Sequence, residues 1–485
     1  ENMAGIGFEL KKLFRATGVI GTLKAYGYTG IITAGPMLLG IFYLMGISLI
    51  GARFGMSENN RQLLTCMITY SLLFSLLVTG TISMAVTRYV ADMLYSEKEK
   101  DVISSLVGVL TITLPLGDII YAMFLLFAGI RFEYVVLNLL LVSELMTTWI
   151  LMNYMSAIKN YKGILIGYVF AVLVSLVGSY IGCIVFEATI GVLLIFVCLG
   201  YGIMMCIDFV LLYGYFPESG NNYFDFLHWF DEYKSLMVIG LFTSVGLYSH
   251  LVIAWMSDIG IQVQGVYYGA PEHDVAALFA FLTMIVTNIN FVASVEVHFY
   301  PKYRHYYDLF NGKGYVNEIQ QAEREMKEVM WHEIAYTAKR QFYTTAIMLS
   351  VGLMFLNRMP LGFNDLMDGY FRILCVGYGV YAIGNVIMLI LMYFTDYTGA
   401  AVGTVIFAAV TIAGCVYSLF LPSKFYGFAF CIGAIVYFVY NLIRLIVYLG
   451  NLPYHILASQ PIIYRDKNGL FTMLGNIFNR MFSKC

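Results

Sequence analysis

An all-α integral membrane fold of about twelve transmembrane helices is predicted by three observations. Sixty per cent of the 485 residues are hydrophobic and 12% are charged. The mean hydropathy is +0.77. The apolar residues are gathered into runs of the ~20 residues needed to cross a ~30 Å bilayer core. A soluble globule cannot hide that much apolar surface, because charged residues supply most of its polar coat. The runs are continuous and not alternating, which selects helices over a barrel.

In chain order the spans are read as Tyr28–Ile50, Leu63–Tyr89, Ile103–Phe127, Tyr134–Ile158, Gly163–Phe186, Gly191–Tyr215, Leu236–Met256, Val275–Phe299, Phe342–Leu356, Phe371–Phe394, Gly399–Leu421 and Phe425–Leu449. Gly35-Pro36 breaks the first span. Proline removes a backbone hydrogen bond and bends a helix, and the bend reads equally as a gate or as a static kink. The ninth span is the shortest. Glu1 and Asn2 stand ahead of Met3, which reads as the natural start, with no cleavable signal peptide before the first span.

Lys and Arg set the orientation. With both termini in the cytoplasm, 22 of the 28 basic residues fall on the inner side and 6 on the outer side. The near-neutral total of −2 therefore hides a basic inner face. Membrane insertion explains that bias, so nucleic acid is not expected as a partner. The eight cysteines form no CxxC pair and sit mostly inside apolar runs, where they read as small hydrophobes and not as disulfides or metal ligands.

The chain repeats itself weakly. Tyr161, Gly163 and Gly167 recur as Tyr397, Gly399 and Gly403 at an offset of 236 residues. Met152, Val169, Val174 and Gly178 recur as Met388, Val405, Val410 and Gly414 at the same offset. Two six-helix, pseudo-symmetric halves around a central cavity are expected, related by an axis along the membrane normal. The boundaries read as an amphipathic cytoplasmic segment over 1–27 and a first bundle over 28–215. A linker over 216–235 and a second bundle over 236–450 follow, then a cytoplasmic tail over 451–485. Within the second bundle, 300–340 reads as a cytoplasmic insert. There Ile319, Ala322, Met326, Val329 and Met330 fall at helical spacing, with Glu318, Glu323, Arg324, Glu325, Lys327 and Glu328 covering the other face. Such a helix lies on the membrane, docks a partner or packs on protein.

Ionisable groups inside spans are costly and mark water-filled paths or hydrogen-bonded helix contacts. Asp118, Glu144, Asp208, His250 and Glu296 are the candidates, with Asn288 and Asn385 adding polar surface. Neither Asp118 nor Glu144 has a basic neighbour nearby in sequence. Arg88 and Asp92 are four apart and read as a pair across one helical turn. Some of the 39 tyrosines form interface belts, while others are suited to stacking on sugars. The motifs HExxH, Walker A and GxSxG are absent, so no enzyme activity, cofactor or metal is expected.

The segment Met3-Ala4-Gly5-Ile6-Gly7-Phe8-Glu9-Leu10-Lys11-Lys12-Leu13 resembles the start of the PelG family, inner-membrane transporters of the Pel exopolysaccharide. That family is similar to polysaccharide flippases of the multidrug/oligosaccharidyl-lipid/polysaccharide superfamily. The resemblance implies a multi-pass protein of the bacterial cytoplasmic membrane that moves an amino-sugar polymer outward. It also implies partners: a cytosolic glycosyltransferase like PelF, a cyclic di-GMP receptor like PelD and a membrane protein like PelE. Our own reading of the residues adds a docking surface from Arg88, Lys98, Lys100, Lys302, Arg304, Met326 and Met330. An ion-coupled drug exporter, a lipid-linked oligosaccharide flippase and a non-transporting scaffold for the synthase stand as the other readings.

Overall fold

The computed structural model describes residues 19–158, 160–312, 314–356, 358, 363–458 and 469–482, with backbone alone for 19–29, 32–34, 36, 37, 292, 293, 296 and 355. The amphipathic segment expected ahead of residue 19 lies outside the described residues. The helices in order are α1 (Val19–Arg53), α2 (Glu58–Tyr95), α3 (Lys100–Leu126), α4 (Phe132–Ala157), α5 (Tyr161–Val185), α6 (Ile190–Tyr215), α7 (Phe226–Glu232) and α8 (Lys234–Trp255). A two-stranded antiparallel hairpin follows, β1 (Ile261–Gln264) and β2 (Tyr267–Gly269). Then come α9 (Pro271–Phe281), α10 (Ile285–Ser294), α11 (Tyr300–Asn311), α12 (Val316–Ile347), α13 (Leu353–Leu356), α14 (Asp365–Tyr393), α15 (Tyr397–Ser418), α16 (Phe428–Gly450), α17 (Leu452–Ala458) and α18 (Leu470–Phe482).

Ten of these helical stretches are long and apolar enough to cross a membrane. Their outward faces carry Leu116, Ile119, Val177, Ile184, Ile443 and Val447, all exposed, as lipid-facing side chains are. The first span differs from expectation. The helix starts at least nine residues earlier than Tyr28 and runs through Gly35 and Pro36 without interruption. Gly35 permits close packing: a Cβ there would come 2.6 Å from Leu165 Cδ1 of α5.

Spans eight and nine also differ. Span eight is a composite of α9, a 3₁₀ turn, α10 and a π-helical stretch over Val295–Phe299, continued directly by α11. Span nine is the far end of α12, a second π-helical stretch over Met348–Gly352 and α13. The expected insert is thus the protruding end of a helical hairpin whose arms are the spans themselves. Met326 and Met330 are buried inside it with Tyr306 and Ala322, so they serve packing and are not open to a partner. Lys302 is tied to Glu325 at 2.7 Å across the hairpin, and Arg304 lies 3.7 Å from Asp308.

The duplicated halves show themselves in their caps. Asn160 accepts from the Gly163 N–H at 3.0 Å and starts α5. Asp396, 236 residues later, accepts from the Gly399 N–H at 3.1 Å and starts α15. The halves meet where α2 crosses α8: Gly80 presents its carbonyl oxygen 2.1 Å from where a Cβ on Gly240 would sit. They meet again where Ile289 of α10 packs on Gly30 of α1.

The segment between the halves is structured. Phe224, Phe226, Leu227 and Phe230 are buried, and α18 packs on α7. Asp231 accepts from the Thr472 N–H at 2.7 Å and from Thr472 Oγ1 at 2.9 Å, and Lys234 Nζ lies 3.4 Å from its other oxygen. Asn479 accepts from the Phe224 N–H and donates to Asp225. Trp229 Nε1 donates to Asp92 of α2 at 2.8 Å. Linker and tail therefore form one cap on the first half.

Candidate translocation path

The residues expected along a path do not converge. Asp118 of α3 accepts a 2.8 Å hydrogen bond from Ser143 Oγ of α4, between exposed apolar neighbours. Glu144, on the adjoining face of α4, points toward α6: a Cβ on Gly202 would lie 3.2 Å from its Oε1. Asp208 is fully buried between α5 and α6, where Gly167 leaves room for it. Its two oxygens have no hydrogen-bond partner among the described residues. His250 sits in the second half, Nε2 at 3.1 Å from Tyr378 Oη, packed on His273 and Phe430. The Glu296 side chain lies outside the described residues. Asn385 is half-buried in α14.

Among those whose side chains are described, Asn288 alone is exposed, beside the seam and next to Ile289. The opposite face of the same helix forms a polar stripe against α12. Thr287 Oγ1 donates to Gln341 Oε1 at 2.5 Å, Asn290 Nδ2 to Thr337 Oγ1 at 2.6 Å, and Ser294 to Glu333. Arg340 Nη1 reaches Asn290 Oδ1 at 3.1 Å. These groups satisfy one another, so span nine stays in the bundle despite its polarity.

The repeat explains one difference between the halves. Asp208 stands at the position that Arg444 holds 236 residues later. In the second half Arg444 grips the cap residue Asp396 through two bonds, Nε to Oδ2 at 2.6 Å and Nη2 to Oδ1 at 2.8 Å. In the first half the cap is the neutral Asn160, and Asp208 has no such grip.

At the end of the bundle beside the linker, the halves bring a basic and aromatic cluster together. Arg88 of α2 pairs with Asp92 at 3.1 Å, as the spacing predicts. Its guanidinium carbon also lies 5.6 Å from the ring centre of Tyr233, which leads into α8. Tyr233 meets Tyr397, the first residue of α15, edge to face at 5.8 Å. Nearby, Tyr303 of α11 packs on Tyr307 with ring centres 4.4 Å apart and planes tilted by 37°, and donates to the Tyr393 carbonyl at 2.9 Å. Composition hinted at such rings, but only the folded chain selects these four. Lys98 and Lys100 lie on the adjacent α2–α3 turn. Lys100 is 2.7 Å from Glu218 and holds that carboxyl below its usual range.

At the opposite end, the β-hairpin of the second half inserts Tyr267 into the first. Its hydroxyl accepts from Asn138 Nδ2 at 2.7 Å, Asn138 accepts from Ser71 Oγ at 2.5 Å, and Ser71 is 3.2 Å from Tyr121 Oη. The ring is buried against Tyr70 and Phe124. Among the described residues no group of three or more His, Cys, Asp or Glu is placed to hold a metal.

Residues 3–457 match the PelG exopolysaccharide exporter (EPS-E) family. No curated protein matches the chain. Among solved structures, an outward-facing multidrug resistance MATE transporter of the MOP superfamily is similar at a TM-score of 0.55 and 12% identity, covering 92% of this chain and 98% of that one. The Vibrio cholerae MATE transporter VcmN in its bent form is similar at 0.56 and 13%, covering 89% and 99%. The MATE transporter ClbM in complex with Rb+ is similar at 0.57 and 13%, covering 90% and 98%. At these identities the likeness is one of fold.

Proposed function

This chain belongs to the PelG family of exopolysaccharide exporters, and from that premise we propose that it carries a nascent amino-sugar polymer outward across the cytoplasmic membrane. The observation that carries the reading is the family match over residues 3–457. The polymer is supplied by a cytosolic glycosyltransferase at the face bearing Lys98, Lys100, Lys302 and Arg304. Receptor and membrane partners like PelD and PelE hold the synthase there. Both termini lie on that face, in keeping with the distribution of Lys and Arg.

The polymer first meets the rings of Tyr233, Tyr303, Tyr307 and Tyr397. A tyrosine face stacks on a sugar ring while its hydroxyl bonds to the sugar's hydroxyls, and stacking tolerates each successive unit. Passage between α2 and α8 requires the Gly80–Gly240 crossing to open, and release requires Tyr267 to leave its socket. Glu144, partly buried in the first half, has a sign that attracts amino groups, whereas Asp208 is sealed between α5 and α6 and meets a polymer only if those helices part.

The test uses inverted vesicles containing this chain, the glycosyltransferase and labelled nucleotide sugar. New polymer is expected to become protected from added glycoside hydrolase only when this chain is present. Polymer that remains digestible with both proteins present contradicts transport and favours the scaffold reading.

A further inference from the structure

Span nine is thinly packed at the end remote from the termini. None of the residues Met348–Gly352 is buried, and a cleft of about 640 Å³ lies alongside them. That volume is within the ~300–1,000 Å³ of typical ligand sites. Leu349 and Leu353 form one wall, Ile373 of α14 another, and Phe428 at the start of α16 a third. Two cations stand at the rim: Arg372 of α14 and Lys424 of the turn before α16. Both are exposed, and among the described residues neither makes an ion pair. Asp365 and Asp368 stand on the turns of α14 before Arg372, and neither lines the cleft.

The arrangement is amphipathic along the membrane normal. Arg372 lies seven residues into α14, about 10 Å at 1.5 Å per residue, so its guanidinium reaches the headgroup zone by extending along the helix. Ile373 and Leu349 lie deeper. Only 6 of the 28 basic residues face this side on the proposed topology, and two of them meet here. Their sign excludes a cationic polymer, which separates the cleft from the export route.

We propose that this cleft is a site for an anionic phospholipid, its phosphate held by Arg372 and Lys424 and one acyl chain lying against Leu349, Leu353, Ile373 and Phe428. The lipid supplies the packing that the outer half of span nine lacks. The site depends on the membrane-spanning fold; only its assignment to the outer leaflet rests on the proposed orientation.

The test uses delipidated full-length protein titrated with phosphatidylglycerol, phosphatidylcholine or inorganic phosphate. Bound lipid is counted by native mass spectrometry, and the thermal midpoint is read in parallel. Phosphatidylglycerol is expected to be retained and to raise the midpoint. Arg372→Gln with Lys424→Gln is expected to weaken that retention about tenfold, as two partly exposed charge contacts would. Lys98→Gln, on the other face, is expected to leave it unchanged. Val376→Trp fills the cleft, keeps both cations, and is expected to expel the lipid. Retention that survives both the double variant and Val376→Trp overturns the proposal. So does equal retention of phosphatidylcholine, or a midpoint shift reproduced by phosphate alone. Because lipid occupancy is read on protein that is not transporting, it stands or falls separately from the vesicle experiment.

Discussion

The two ends of the molecule are closed by different chemistry. At the hairpin end a single ring, Tyr267, crosses from the second half into the first and finds a buried socket in which its hydroxyl is satisfied. At the other end the halves meet through Arg88, Tyr233, Tyr397 and Tyr303, which remain partly exposed. A buried, fully bonded tyrosine is specific: it fits or it is out. Half-exposed rings are adaptable and accept many partners of similar shape. The hairpin end is thus built for all-or-none closure, and the tyrosine-lined end for adaptable contact.

The largest effect that separates the ends is expected from Tyr267→Ala. Removing a fully buried ring costs about 3–5 kcal/mol. Cys66, whose Sγ lies 3.9 Å from the Tyr268 carbonyl, is a natural reporter. An impermeant maleimide is expected to label it at least about tenfold faster in the variant, since that energy loosens the hairpin. Unchanged labelling would mean the hairpin is held by something other than this ring. Tyr267→Phe sharpens the point: it leaves the ring and removes one bond, so a smaller acceleration is expected.

Gly240→Val tests the crossing between the ends. A side chain 2.1 Å from the Gly80 carbonyl oxygen forces α2 and α8 apart. A loss of about 1–3 kcal/mol is expected in a thermal or denaturant melt, as for overpacking. Asp396→Asn acts at the linker end of the bundle, on the second half alone. It weakens a two-pronged ion pair that is partly exposed, so the expected cost is about 1–3 kcal/mol after allowance for solvent. The matching change Asn160→Asp is expected not to create the same grip, because Asp208 and not an arginine stands opposite.

The smallest effect concerns the linker cap. Burial pushes the Asp231 carboxyl up, but the Thr472 N–H, the Thr472 hydroxyl and Lys234 together hold it below its ordinary 3.8. A depressed folded-state value means the contribution is complete above the unfolded value, near ~3.9, and fades as pH falls through the folded one. Protease protection of α18 is therefore expected to be flat from pH 7 to 5 and to fall only below about 4. Asp231→Asn is expected to loosen the helix across the whole range.

How much of this was legible in the sequence depended on range. Apolar length and Lys/Arg placement located most spans, and the repeat at Tyr161 and Tyr397 located two helix starts. Span nine blurred because its polar residues, Thr337, Gln341 and Glu333, are matched one by one by span eight, a pairing no local window reveals. Met326 and Met330 obeyed helical spacing, but spacing does not say whether an apolar stripe meets a partner or the chain's own second arm. The β-hairpin carries a signal, alternating Ile261-Gln262-Val263-Gln264 before Gly265, that is weak beside the long apolar spans. Residue type marks polar groups inside spans but not where they point, and the fold scatters them. The inner tyrosines were lost among 39.

The clasp between Asp231 and Thr472 spans 241 residues of chain. At ~5–20 residues per second of synthesis, roughly 12–48 s separate the making of its two sides. Throughout that interval the ring-lined face of α7 that later receives α18 waits with its apolar surface bare. The first bundle is thus finished in the membrane long before it is finished beneath it. A nascent chain stalled anywhere in the second half would present that bare surface to whatever holdase is near.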